Sequence, residues 1–300
     1  MPAGTGTLIQ TLMPADSYYT KGWTHTVCQD YAIHGSLVTL SDNEKTRMDY
    51  GLVSDGCSSS DDTDIGSRLI LRSAYCHSGC MQNILRCVDA EGGNYMGNAN
   101  GLWTDFAHKV AMYAGKWVNE MELDHTALDA TLLGAFADNK WACTASYGDG
   151  SHIVCRRVGT ERVIEIEHID FLANAPPYPV YLTDNDLQNA FDNYHGNTKR
   201  VMRWTSKGEF EERLGGEPSH VLVYPADEVE FIAVVSDGVS SFGDIGCFEV
   251  IQAFTAFRNY AGEFVKRRMM RALDEYQKSQ HVPSDDVSMA VVYARYGHAI

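Results

Sequence analysis

Residues Leu52–Gly66 read LVSDGCSSSDDTDIG, and residues Ala233–Gly246 read AVVSDGVSSFGDIG. Each is an apolar run with β-branched residues, then Ser-Asp-Gly, a Ser-rich turn, and Asp-Ile-Gly. The pattern predicts a strand that ends at an aspartate, followed by a turn that opens a helix. Such a strand delivers a carboxylate to the rim of a sheet at a fixed height. The glycine after it lets the backbone turn sharply and lets its carbonyl approach a cation. Asp55-Gly56 and Asp237-Gly238 are therefore candidates to hold a hard metal between them. The rival reading is two ordinary strand–turn–helix connections that share turn residues, and the repeat alone weighs the two evenly.

Before the first repeat, GTLIQTLM, DYAIHG, SLVTL and RMDYGLVS predict short strands separated by turn residues, with Asp30 at the entry to the second. Asp64 is placed as the N-cap of a helix running from Ile65 towards Val88, weakened midway by Gly79. The stretch EGGNYMGNANG reads as a loop. Beyond it Leu102, Trp103, Phe106, Val110 and Trp117 recur at helical spacing and are assigned to the core. Between the repeats, DATLLGAF, KWACTASYG, SHIVCRRVG and RVIEIEHIDF predict a strand meander with turns at Asp138-Asn139 and Gly148-Asp149-Gly150. Residues 172–220 hold Pro176, Pro177 and Pro179 with little periodicity, and read as a surface insertion or flap. After the second repeat, helices are predicted at about 245–258 and 261–278. The mixed charge from Arg267-Arg268 to Lys278 reads as a solvated helix face. SDDVSMAVVYARY supplies a closing strand behind Asp285-Asp286. This order makes an α+β chain, read as a single domain over residues 1–300.

The 300 residues carry 40 acidic and 24 basic side chains, a net charge of -16. That balance repels phosphate backbones and anionic lipid, and it suits a chain that gathers carboxylates around divalent cations. Nucleic-acid and membrane partners are therefore not expected. No apolar run approaches the ~20 residues of a membrane helix. The start, MPAGTGTLIQTLMPADSYY, has neither the basic region nor the continuous apolar stretch of a secretory leader. Eight cysteines in such a chain point to reduced thiols in a cytoplasm. Cys80 and Arg86 match Cys-x5-Arg, but the residues between them read as helix and lack the glycines of a backbone anion cradle. Cys76, His77, Cys80 and Cys87 lack the paired Cys-x-x-Cys of a zinc site.

Asp55, Asp237 and Asp285 flank apolar strands, and Asp149 sits in a turn between two others. Oxygen-only donors of this kind suit Mg²⁺ or Mn²⁺ rather than zinc. Along the chain stand Gln29-Asp30, Asp55-Gly56, Gly148-Asp149-Gly150, Ser236-Asp237-Gly238 and Asp285-Asp286. The series resembles the ordered motifs of the metal-dependent Ser/Thr protein phosphatases, the type 2C family, over roughly residues 20–295. The resemblance implies two stacked antiparallel sheets flanked by pairs of helices. It implies hydrolysis of phosphoserine and phosphothreonine in a phosphoprotein at a binuclear Mn²⁺/Mg²⁺ centre. Asp55 would bridge both ions, the Gly56 carbonyl would bind one, and Asp237 and Asp285 would ligate the other. Asp30 would orient a metal-bound water, and Asp149 would help a weaker third ion.

Three positions depart from that family pattern. Gln29 stands where many members have glutamate, and Cys57-Ser58 where many have His-Gly. His25 stands where a phosphate-binding arginine often precedes the first aspartate, and is assigned to substrate binding in its protonated form. These losses leave a second reading, a catalytically weak or inactive phosphatase-like binding module. A third is a two-metal hydrolase of small phosphoesters.

Overall fold

The computed structural model describes residues 15–41, 44–57, 64–90, 96–159, 161–194 and 198–294. Strands β1 (Ala15–Thr20), β2 (Tyr31–Ser41) and β3 (Glu44–Ser54) precede helices α1 (Ile65–Cys76), α2 (Gly79–Ala90) and α3 (Met96–Glu120). Next come β4 (Leu132–Ala137), β5 (Trp141–Tyr147), β6 (Gly150–Val158) and β7 (Glu161–Phe171). Then follow α4 (Asn185–Tyr194), β8 (Lys199–Thr205), β9 (Phe210–Leu214), β10 (Ser219–Pro225) and β11 (Val229–Val235). Helices α5 (Cys247–Thr255) and α6 (Phe264–Lys278) lead to β12 (Val287–Tyr293).

The strands form a seven-stranded sheet, β1-β12-β11-β6-β7-β8-β9, and a five-stranded sheet, β10-β5-β4-β3-β2. All pairs are antiparallel. Side chains alternate faces along a strand, and here both faces are apolar. On β11, Phe231, Ala233 and Val235 join one cluster with α5 and α6, while Ile232 and Val234 join a second. That second cluster lies between the sheets and takes Val53 from β3 and Leu133 from β4. Leu52 faces the other way, into a third cluster with Trp103 and Phe106 of α3. The layers are thus helices, sheet, sheet, helices, an α+β sandwich. Complete burial of a side chain such as Leu52 or Phe231 contributes ~1.5–3 kcal/mol.

The structure departs from the sequence pattern in several places. The expected strand GTLIQTLM and the Ser-rich turn at 58–63 lie outside the described residues, whereas β1 was not anticipated. The helix expected from Ile65 to Val88 is two helices, because His77 caps α1 with its N–H on the Ser73 and Ala74 carbonyls and α2 restarts at Gly79. Asp64 makes no side-chain cap; it pairs with Arg68 at 2.6 Å instead. Residues 96–101, read as loop, form the first turns of α3, where Ala99 is fully buried in the core and overrides poor local helix propensity. The expected meander is divided between the sheets: β4 and β5 belong to one, β6 and β7 to the other. Residues 172–220 contain α4, two strands that extend the seven-stranded sheet, and the start of β10, which edges the five-stranded one.

Candidate functional site

The crossing from β5 to β6 is Gly148-Asp149-Gly150. Gly148 has φ +109° and Gly150 φ +123°, a region closed to side-chain-bearing residues. Two such residues in three let the chain leave one sheet and enter the other, and they leave Asp149 at the junction.

Each Ser-Asp-Gly is stapled to a neighbouring strand by its serine. Ser54 Oγ donates to the Thr131 carbonyl at 2.6 Å, and the Asp55 N–H donates to Thr131 Oγ1 at 3.1 Å. Thr131 N–H returns a bond to the Asp55 carbonyl at 2.8 Å, and Gly56 bridges to Ala130. At the second repeat, Ser236 Oγ donates to Asp30 Oδ2 at 2.7 Å and accepts the Ser288 N–H at 2.9 Å. The two serines hold the ends of β3 and β11 at one rim of the sandwich.

Of the adjacent pair Asp285-Asp286, only the first is free for chemistry. Asp286 Oδ1 accepts the Gly22 N–H at 2.7 Å and Oδ2 accepts the Gln29 N–H at 2.5 Å. Asp285 keeps a side chain 43% exposed.

Asp55, Gly56, Asp149, Asp237 and Asp285 line one cavity of about 180 Å³. Cys57, Thr131, Asn174, Pro176 and Tyr178 also line it, and among the described residues its wall contains no Lys, Arg or His. Asp30 is fully buried beside Asp55, and its Oδ1 accepts no hydrogen bond. Burial raises the Asp55 carboxyl far above its usual range, and the neighbouring carboxylates of Asp30 and Asp237 push the same way. Asp149 is raised by burial and then by Asp237, and Asp285 likewise. Burial pushes Asp30 up to about 7 despite its hydrogen bonds. Among the described residues, no three His, Cys, Asp or Glu side chains close into a ready metal cage.

His25 does not line the cavity. Its Nδ1 lies 3.0 Å from Asp286 Oδ2 and its Nε2 3.5 Å from Asp285 Oδ1. Burial lowers its pKa, but Asp286, Asp285 and Asp30 together outweigh that and raise it. Cys80 and Arg86 lie within α2, and His77 Nδ1 contacts the Ser73 carbonyl at 2.9 Å while its ring packs on Tyr113.

Thr131, Asn174, Pro176 and Tyr178 were not assigned to the site from the sequence. Tyr178 and its neighbours also line an adjoining cavity of about 710 Å³, walled on its far side by Tyr181 and Phe191. Tyr178 packs edge-on against Tyr181 at 5.5 Å between ring centroids, and Tyr181 packs at a tilt on Phe191 at 5.8 Å. The signal was the run Pro176-Pro177-Tyr178-Pro179: three prolines fix the backbone around one aromatic residue.

A family model described as Protein phosphatase 2C matches residues 24–284. Among solved structures, serine-threonine phosphatase 2C from Toxoplasma gondii is 11% identical, covers 94% of this chain and 97% of its own, and superposes with a TM-score of 0.52. A bacterial serine phosphatase is 12% identical over 96% of this chain and 100% of its own, with a TM-score of 0.50. At such identities the likeness is one of fold. No curated protein matches the sequence significantly. No helix among the described residues is long and apolar enough to cross a membrane. With a match spanning most of its length and the same layered fold, the chain belongs to the protein phosphatase 2C family.

Proposed function

We propose that this protein is a Mn²⁺- or Mg²⁺-dependent phosphatase that hydrolyses phosphoserine and phosphothreonine in proteins. The observation that carries the reading is one small cavity lined, among the described residues, by four carboxylates and no cationic side chain. A donor set of carboxylates and a backbone carbonyl fits a hard divalent cation, and the unpartnered Asp30 Oδ1 behind it supplies a further acceptor. Asp55, Asp237, Asp285 and the Gly56 carbonyl would hold two ions. When bound, such ions activate water and stabilise phosphoryl oxygens.

The chain's own residues have distinct tasks in this reading. Asp30, fixed by Ser236, orients a water through its free oxygen. His25 acts as a positioning residue on Asp285, 3.5 Å from its Oδ1. Tyr178 and the 174–194 segment bound the approach, and the larger cavity beside it is wide enough for a peptide side chain. One observation favours the second reading, a weak or inactive binding module: among the described residues, the wall offers an incoming phosphate no Lys, Arg or His.

Aryl-phosphate hydrolysis decides between them. Turnover is expected with Mn²⁺ or Mg²⁺ and none in EDTA; folded protein that is inert in every divalent metal would establish the binding module. A phosphopeptide preferred over small phosphoesters by kcat/KM is expected, and the reverse preference would make the enzyme a small-phosphoester hydrolase.

Asp149 tests the third-ion assignment. Asp149→Ala is expected to keep two tightly bound ions and an unchanged Tm, yet lose kcat by ~10²-fold, the scale of acid–base assistance. Normal turnover by that variant would return Gly148-Asp149-Gly150 to the role of a sheet-crossing turn.

A further inference from the structure

Helix α6 carries more than a solvated face. Arg267, Arg268 and Arg271 on α6 join Arg258, from the segment after α5, around a groove of about 330 Å³. No carboxylate among the described residues lies within ion-pair distance of any of the four, although Glu275 stands on the same wall. The arginines of the strands behave differently. Arg156, Arg157, Arg200, Arg203 and Arg213 all have carboxylate partners.

Two of the groove arginines are held in place by neutral acceptors. Arg268 Nε donates to the Ala253 carbonyl at 2.5 Å. Arg267 Nη2 donates to Asn259 Oδ1 at 2.9 Å and to the Ala261 carbonyl at 3.0 Å. Both keep their full charge, and Arg258 and Arg271 have no hydrogen-bond or ionic partner among the described residues. Four permanent cations in one groove repel one another. A protein with 40 acidic side chains has ample means to neutralise them and does not do so here. Guanidinium forks match the oxygens of carboxylate and phosphate groups.

The shape narrows the ligand. The groove shares no residue with the carboxylate cavity or its annex. A phosphoryl group occupies a few water volumes of ~30 Å³ each, so room remains for the side chain and backbone that carry it. A planar anionic surface would meet the acidic remainder of the molecule, whereas a single chain enters the groove alone. We propose that this groove is a docking site for an acidic, phosphorylated peptide segment of a partner protein. The inference holds whether or not the carboxylate cavity turns over substrate.

The test is fluorescence anisotropy with the full chain in EDTA, which suppresses metal-dependent hydrolysis, and a labelled peptide bearing phosphoserines among Asp and Glu. Saturable, salt-sensitive binding is expected, weakened at least about tenfold in Arg258→Glu/Arg271→Glu. Both side chains are exposed, and Arg258→Gln/Arg271→Gln gives a milder variant that is expected to weaken binding in the same direction. The charge-matched control Lys116→Glu/Lys207→Glu is expected to bind as the wild type does. Unchanged affinity in both arginine variants, or equal loss in the lysine control, would overturn the proposal. So would loss of phosphatidylserine-vesicle binding with peptide affinity intact.

Discussion

Asp55→Asn is expected to lower kcat by about 10³-fold or more, because metal clamping of a phosphoryl group supplies several kcal/mol. Asparagine preserves the shape and the Thr131 bonds to the Asp55 backbone, so the strand end stays in place. The same substitution has a second, opposite effect that needs no metal to observe. Asp55 is crowded by Asp30 and Asp237, and deleting one charge from a set of like charges relieves that repulsion. In EDTA the variant is therefore expected to melt above the wild type.

The sign of the pH dependence follows from the raised carboxyls. A carboxyl whose folded pKa exceeds its unfolded value binds more protons in the native state, so stability falls as pH rises through that window. For Asp30 the window runs from an ordinary 3.8 to about 7. Wild-type protein in EDTA is expected to lose stability across it, and Asp55→Asn to lose less. Equal metal affinity and equal turnover in Asp55→Asn would remove this residue from the centre.

Gly66→Ala is expected to damage the fold without touching a carboxylate. A side-chain carbon there would sit 1.7 Å from the Ala127 carbonyl oxygen and 2.9 Å from its carbon. Both atoms are backbone, in the short turn His125–Leu128 that leads to Asp129 and Thr131. Overpacking against backbone costs roughly 3 kcal/mol or more. The matched control is Gly115→Ala inside α3, where the added carbon meets nothing within 4 Å. That change is expected to stabilise by up to ~1 kcal/mol, since glycine is the poorer helix former. Urea midpoints that move equally in the two variants would refute the close-approach argument.

The site aspartates were legible because each stands where an apolar strand meets a turn, and strand ends are marked by local chemistry. The family resemblance already preferred Asp285 to Asp286, but the physical reason appears only in the fold, where the bonds that occupy Asp286 come from Gly22 and Gln29, residues remote in sequence. The two-sheet division of β4–β7 was hidden for a similar reason. Alternation and turn residues specify strands, whereas the choice of sheet is made at Gly148 and Gly150 by backbone torsions. Within residues 172–220, β9 escaped notice because it is exposed throughout and carries no apolar alternation. The arginine groove was invisible as a groove: Arg258 precedes α6, and the helix face alone looks like solvent-facing charge.

Strand β12 lies between β1 and β11, so one margin of the larger sheet pairs the two sequence extremes of the described chain. This imposes an order on biosynthesis. Ser236 and Ser288, which bond to each other, are separated by 52 residues, a stretch that takes on the order of seconds to translate. During that interval β11 has emerged with one edge unpaired and apolar at every position but Glu230, the kind of edge that templates aggregation. A ribosome-bound chain halted before Asp285 would thus lack both the strand that seals this edge and the fourth carboxylate of the cavity. Premature termination is expected to yield a chaperone client rather than a partly active enzyme.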